Sequence, residues 1–337
     1  MKKSDDIKNL LVWLKLESIE YNQSVKLSDF SWFKTGGLAD LIIFPKNKIQ
    51  LSYCIKRLSE NEIKFKVIGE TSNLIFLDDI SYGVFISTTK INSLIYDSEK
   101  RVISAECGVL LPELSRYALS LCVRGFEGFE GIPGTIGAAV FMNAGAYGDE
   151  IKDVIESVDI IKLNGEEKTY KLNDLGLSHR NSKFRSKTND EIILSASFNA
   201  EKSDPLKIYN RMSLFHNKRH KYQEFMYPTL GSIYSGSIYR SLAKKDKWFK
   251  FVSAIYYLVF YKWKIFSREA PDNRKWLNDF TVSRFGFLYK NQPFSNKDMN
   301  TLINNGHHTD EILSYINQLN SWIENDVTIE NEIVEKF

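Results

Sequence analysis

Glu130-Gly131-Ile132-Pro133-Gly134-Thr135-Ile136-Gly137-Ala138-Ala139-Val140-Phe141-Met142-Asn143-Ala144-Gly145-Ala146-Tyr147-Gly148 is the stretch on which the reading of this chain turns. Five glycines fall within it, and Pro133 fixes one backbone dihedral. A glycine inside an element costs about 0.5–1 kcal/mol relative to alanine. Five together burden a fold unless the backbone must approach another body closely. Amides on such a loop can point at negative charge, as phosphate-binding loops do. The spacing is neither the G-x-G-x-x-G of dinucleotide folds nor a P-loop ending in Gly-Lys-Ser/Thr. On composition alone, a set of tight turns between strands is the plainer alternative.

Outward from this stretch, strand and helix patterns alternate with no internal repeat or low-complexity tract. Residues 41–44 form a β run ended by Pro45, and 47–60 follow as an amphipathic helix with Ile49, Cys54, Ile55 and Leu58 inward. Residues 64–68 read as a strand emptying into Gly69-Glu70-Thr71-Ser72-Asn73, with further strands at 74–77 and 84–88. A strand that runs into a Gly/Ser/Asn loop is a standard place for a phosphate contact. These elements make a small α/β unit over about 20–92. A second unit, about 93–202, holds strands at 101–106, 156–163, 166–172 and 191–198 and a helix near 111–121. The polar run 201–205 marks the next boundary, and Asp204-Pro205 is a good helix start. At the N-terminus, Ile7, Leu10, Leu11 and Leu14 have helical spacing, with Ser4 as the expected cap. The apolar run 10–14 stops at Lys15, too short for a secretory h-region despite the basic Met1-Lys2-Lys3.

Composition narrows the function classes. The 337 residues are enough for two or three domains with ample core. A hydrophobic fraction of 43% with 26% charged residues is ordinary for a soluble globular protein. A net charge of +3 gives no argument for a nucleic-acid partner. Cys54, Cys107 and Cys122 are an odd count in apolar runs, which reads as reduced core thiols of a cytoplasmic protein, with no metal site.

Gly131-Ile132-Pro133-Gly134-Thr135-Ile136-Gly137, followed by Met142 to Gly148, resembles the flavin-binding core of the UDP-N-acetylenolpyruvoylglucosamine reductases, the MurB family. Upstream, Thr35-Gly36-Gly37-Leu38-Ala39-Asp40 and Val67-Ile68-Gly69-Glu70-Thr71-Ser72-Asn73-Leu74 match its T-G-G-x-A-D step and G-x-x-S-N-L loop. Arg180 and Ser182 in His-Arg-Asn-Ser-Lys-Phe, Gly231-Ser232, and Glu332 in Ile-Glu-Asn-Glu-Ile follow in the family's order. Each motif is short; their order is the signal.

The resemblance implies an α+β fold. It comprises a two-subdomain flavin-binding fold of the PCMH, vanillyl-alcohol-oxidase-like kind and an α/β substrate-binding domain. The implied divisions are 1–92, 93–202, 203–325 with an insert at about 238–284, and 326–337 as a strand carrying Glu332 back to the flavin. It further implies FAD held non-covalently by Gly69, Glu70, Thr71, Ser72, Asn73 and Leu74, and by Gly131, Ile132, Pro133, Gly134, Thr135, Gly137, Ala138 and Asn143. The partners implied are a UDP-sugar substrate and NADPH as nicotinamide donor. The reaction is reduction of an enolpyruvyl ether, with hydride to the β carbon and a proton to the α carbon. Negative charge then grows on the substrate carboxylate, so the site needs a fixed cation, a donor and an acid. Arg180 supplies the cation, Glu332 assists the enolate, and Ser232 gives the proton. As ordinary residues these three read as a surface arginine, a turn serine and a solvated acidic tail.

His216 and His220 have metal-ligand spacing, but Asn217-Lys218-Arg219 between them would repel a dication, so they read as a basic solvated helix face. His307-His308 reads as a helix start with no third ligand. Two departures from the family stand out. His179 replaces a tyrosine before Arg180, and Ser235 stands where a basic residue helps to hold the nucleotide sugar. The insert also lacks any family likeness. Its segment 248–266 is aromatic-rich, and the core of that segment, 251–261, is flanked by Lys244, Lys245, Lys247 and Lys250 before it and by Lys262, Lys264 and Arg268 after it. A buried helix of the third domain is the plain reading. An element lying on an anionic membrane surface and a dimer contact are the alternatives, since the eleven residues 251–261 are too few to span a bilayer, which needs about 20. For the function, the alternative is an FAD oxidoreductase of the same fold acting on another nucleotide- or lipid-linked sugar in surface polysaccharide assembly. A flavin scaffold without turnover is disfavoured by the presence of Arg180, Ser232 and Glu332.

Overall fold

The strand Leu38–Phe44 sends Leu41 and Ile43 to one face and Ile42 and Phe44 to the other, and all four are buried. A strand with no wet face belongs inside a sheet covered on both sides. In the computed structural model, which describes residues 2–186, 190–264, 270–323 and 327–337, that is its position. The first sheet runs Glu20–Lys26, Leu38–Phe44, Tyr82–Ser87, Phe65–Ile68. Its first pair is antiparallel and the other two are parallel. Helix Lys48–Glu60, capped by Asn47, makes the crossover and buries Leu51, Cys54, Ile55 and Leu58. Ile49 was expected inward and is 64% exposed. It falls outside the i, i+3, i+4, i+7 stripe that begins at Leu51.

The second sheet is wholly antiparallel, in the order Glu167–Lys171, Ile155–Lys162, Glu191–Asn199, Val102–Glu106, Leu94–Asp97. Its inner residues Ile103, Ala105, Val158, Ile160 and Ala196 share one core with Leu41, Ile43, Val84 and Ile86 of the first sheet. The core is therefore continuous across residue 92. Helix Lys2–Leu16 adds Leu10 and Leu14 to it. That helix already runs from Lys2, so Ser4 lies within its first turn and is not the cap.

Helix Pro205–Tyr222 starts as its sequence indicates, with the Asp204 carboxylate accepting from the Leu206 amide. It packs back on the second unit, where Arg211 pairs with Glu127 and Asp149 and Phe215 stacks on Tyr147 at 4.9 Å. Beyond it, strands Thr229–Ser232, Asp298–Ile303 and Phe294–Ser295 form a small sheet. Helix Thr309–Trp322 packs with this sheet in a separate core around Tyr234, Tyr239, Phe249, Met299 and Tyr315.

The insert forms helices Ile238–Lys245, Lys247–Tyr257 and Lys275–Phe285, with a π turn at Leu258–Lys262. The buried-helix reading holds for one face, Phe249, Ser253 and Tyr256. It fails for the other, where Trp248, Phe251 and Ile255 are exposed. Phe266 and Arg268, and the boundary placed at 325, lie outside the described residues.

The last strand, Glu332–Val334, pairs in parallel with Leu74–Phe76. Just before it, the Glu330 amide donates to the Ile233 carbonyl at 2.7 Å, and Ile329 bridges Tyr234. One short segment thus joins the small sheet to the strand that follows the 69–73 loop, with which it forms a two-stranded parallel sheet of its own.

Candidate active site

The loops 69–73 and 131–137 press against each other. The Ser72 hydroxyl donates to the Pro133 carbonyl at 2.9 Å. A Cβ on Gly69 would collide with Thr135 Oγ1, and one on Gly134 would stand 3.2 Å from Ser72 Oγ. The Gly137 amide donates to the Cys107 carbonyl at 2.8 Å, and a side chain on Gly145 would run into the Asp149 backbone. Several glycines of the 130–148 stretch therefore serve contacts within the protein, which corrects the reading that all five make room for another body. Gly148 has φ 95° with open space around it, the requirement of a turn.

What these loops leave unsatisfied is informative. Thr135 Oγ1 is buried between them without a hydrogen-bond partner, and so is Arg219 Nε. Arg219 is 5% exposed, lies across Gly131 and stands 5.4 Å over the Tyr147 ring. Burial holds its guanidinium below the usual arginine range. A buried cation with an idle donor is costly until an anion meets it. The donor set beside a glycine loop fits the pyrophosphate of a dinucleotide such as FAD. The sequence reading missed Arg219 by placing it on a solvated basic face. The signal was available, because Ile208, Met212, Phe215 and Arg219 continue one buried helical stripe. His216 and His220 lie ring to ring at 4.4 Å, with His220 stacked on Phe225.

The other expected cofactor residues occupy the same neighbourhood. Thr71 has φ 58° and its hydroxyl accepts from the Trp32 amide at 2.9 Å. Glu70, Leu74 and Ile132 are half-buried, while Ala138 and Pro133 are exposed. Asn73 donates through Nδ2 to the Glu330 carbonyl at 2.8 Å and accepts through Oδ1 from Asn331 at 2.9 Å. The Oδ1 of Asn331, a residue not singled out in the sequence, is buried and unpartnered. Asn143 is turned into the protein. Its amide donates to Glu150 and to the Ser178 carbonyl and accepts from the Lys152 amide. It braces the loop that carries Arg180.

Arg180 itself has φ 52°, a left-handed conformation uncommon for a non-glycine residue. Its Nε donates to Glu330 Oε2 at 2.9 Å and its Nη1 to the Gly145 carbonyl at 3.1 Å. Arg185 donates to the Arg180 carbonyl at 2.6 Å and pairs with Glu332 at 3.4 Å. The Glu332 amide donates to the Asn73 carbonyl at 2.9 Å. Ser232 is exposed at the end of its strand, next to Ile233, which accepts from Glu330. The segment 329–332 therefore links the strand of Ser232, the guanidinium of Arg180 and the 69–73 loop. Glu330 and Arg185, which no sequence motif singles out, are the side chains that tie Arg180 to this segment. Ser182 donates to the Phe141 carbonyl at 2.6 Å and caps the 3-10 turn Lys183–Arg185, a structural role.

Of the two departures, His179 reaches Glu150 at 3.2 Å, and Ser235 bonds to Thr328 through its amide at 3.0 Å and its hydroxyl at 2.9 Å. His308 does begin a helix, accepting from the Asp310 amide. The structure adds the third group that the sequence did not show, Asp79, so that Asp79, His308 and Asp310 offer ligand atoms within 4.8 Å. All three are exposed, and such groupings are common without any ion.

A family model described as an FAD binding domain matches residues 39–170. A UDP-N-acetylenolpyruvoylglucosamine reductase of Lactobacillus gasseri is 35% identical over 228 residues, which is 68% of this chain and 75% of that one. The enzyme of the same name from Carboxydothermus hydrogenoformans is 38% identical over 208 residues, 62% of this chain and 68% of its own length. Among solved structures, the UDP-N-acetylenolpyruvylglucosamine reductase of Thermus caldophilus has a TM-score of 0.67 at 20% identity, covering 94% of this chain and 99% of that one. The flavin-binding α+β fold is thereby shown. The protein is an FAD-dependent oxidoreductase, and its chain belongs to the UDP-N-acetylenolpyruvoylglucosamine reductase family.

Proposed function

We propose that this protein reduces UDP-N-acetylglucosamine enolpyruvate to UDP-N-acetylmuramate, with NADPH as donor, in the cytoplasmic synthesis of peptidoglycan precursors. The observation that carries the reading is the convergence, through residues 329–332, of Arg180, Glu332 and the Ser232 strand on the 69–73 loop. The two relatives named above are reductases of this one kind, which favours this reading over the alternative of another sugar acceptor. Burial pushes the Cys54 and Cys107 thiols up to about 12, which supports their standing as inert core thiols suited to a reducing compartment.

Bound FAD supplies the passage of two electrons from the nicotinamide to the enolpyruvyl group. The 69–73 and 131–137 loops, with Arg219, would hold it. Arg180, kept in place by Glu330 and the Gly145 carbonyl, presents its remaining donors to the substrate carboxylate as charge builds there. Glu332, paired with Arg185, is given the role of assisting the enolate. The Ser232 hydroxyl delivers the proton to the α carbon. It is exposed in this structure, so its acidity depends on the substrate covering it and excluding water.

The divisions 1–92, 93–202, 203–325 and 326–337 serve this reading as a working map of where the cofactor and the sugar are handled. Incubating the FAD-loaded protein with NADPH and UDP-N-acetylglucosamine enolpyruvate tests it. The expected product is UDP-N-acetylmuramate, heavier than the substrate by one hydrogen molecule in the mass spectrum. NADPH oxidation with no change in the nucleotide sugar would refute it.

A further inference from the structure

The insert presents an apolar face that the catalytic reading does not use. Trp248, Phe251 and Ile255 are 55%, 56% and 44% exposed on helix Lys247–Tyr257, and Trp276, on helix Lys275–Phe285, is 56% exposed. Their spacing of three and seven residues puts the first three on one side of their helix. Phe249 and Tyr256 fill the core from the other side. Trp248, Phe251, Ile255 and Trp276 line a groove of about 390 Å³ together with Val252, Tyr256, Val259 and Phe260. The rings are held in place, Trp248 stacking on Phe251 at 5.7 Å and Trp276 on Tyr256 at 5.6 Å. A contiguous exposed apolar patch of this kind marks an interaction site.

Charge selects the partner. Residues 238–285 carry eleven Lys and Arg against four Asp and Glu, a net of +7, whereas the whole chain carries +3 and so the rest is at −4. Two of those acids are already paired, Asp246 with Arg284 and Asp279 with Lys275. Lys247 stands at the start of the apolar stripe, Lys250 along its helix, and Lys262 and Lys264 beyond its end, all exposed. A two-fold contact between copies would set one lysine-bordered face against another, which disfavours self-association. Exposed tryptophans bordered by lysines are what the headgroup region of an anionic bilayer accommodates. Among the described residues no helix is long and apolar enough to cross a membrane, so the contact would be peripheral.

We infer that the exposed face of the 238–285 helices docks the protein on an anionic membrane surface. The test is co-sedimentation of the FAD-loaded full chain with vesicles of phosphatidylcholine mixed with phosphatidylglycerol, and with vesicles of phosphatidylcholine alone. Binding should favour the anionic vesicles by roughly tenfold or more and weaken as salt rises. Trp248→Ser with Trp276→Ser, and separately Lys247→Glu with Lys250→Glu and Lys262→Glu, should each lower that binding about tenfold or more. Flavin absorbance and turnover of soluble substrate should stay unchanged. Equal affinity for both vesicles, no binding to either, or full binding by both variants would overturn the inference. So would a concentration-dependent dimer, or a complex with an acidic protein, that the tryptophan changes abolish while vesicle binding persists.

Discussion

Arg180 shows how much of the candidate site depends on side chains brought from elsewhere in the chain. Its left-handed backbone is held by the bond from Arg185 and by the bridge between Ser178 and Asn181. Its guanidinium is aimed by Glu330. Replacing Glu330 by Gln keeps the shape and removes the charge. A charge-assisted bond is worth about 1.5–3 kcal/mol, so substrate-dependent oxidation of the reduced flavin should slow by roughly ten- to hundredfold. Flavin content and reduction by NADPH should not change. Stopped-flow absorbance separates the two halves, and an unchanged second half would remove Glu330 from the account. Ser232→Ala should divide the reaction in the same way, with a loss of about 10²–10⁴ in the second half, as for a missing general acid. If both half-reactions fall together, Ser232 has a structural role. At this scale, motif order in the sequence pointed to Arg180, Ser232 and Glu332. Arg219 went unseen, because a buried arginine and a solvated one look alike until the whole helical stripe is followed. Glu330, Arg185 and Asn331 have no separate signal, since the Arg180–Glu330 and Asn73–Asn331 bonds join residues 150 and 258 positions apart, and Glu332 meets Arg185 only when strand Glu332–Val334 lies beside strand Leu74–Phe76.

Elements were easier to read than their functions. Strands buried on both faces, such as Leu38–Phe44, and the capped helix Pro205–Tyr222 carry their own local signals. Ile49 misled because an apolar residue near a helix start need not lie on the buried stripe. The glycine-rich stretch was identified correctly as special, but its glycines answer first to the contact between loops 69–73 and 131–137. That makes a specific prediction. Gly69→Ala should push Thr135 aside and weaken retention of FAD, while Gly69→Ala with Thr135→Ala should recover part of it, because the colliding oxygen is gone. Flavin release on gel filtration measures both. A double variant as poor as the single one would mean that the loops do not meet as described.

For the molecule as a whole, the sequence divided the chain where composition changes, whereas the fold joins what composition separates. The core passes through residue 92, helix Pro205–Tyr222 rests on the second unit, and the last strand returns to the first unit by pairing with Leu74–Phe76. Such pairings are long-range, and no local pattern records them. They are also what brings the glycine loops, Arg180 and the Ser232 strand to one place. The central claim is that this one place passes electrons from NADPH to an enolpyruvyl sugar. Its most direct test is anaerobic. The FAD-loaded protein is reduced with one equivalent of NADPH and then mixed with UDP-N-acetylglucosamine enolpyruvate while the flavin absorbance is followed. The account predicts bleaching on the first addition and stoichiometric return of the oxidised flavin spectrum on the second, with UDP-N-acetylmuramate formed. A flavin that NADPH reduces, and that stays reduced in the presence of this substrate, would contradict it.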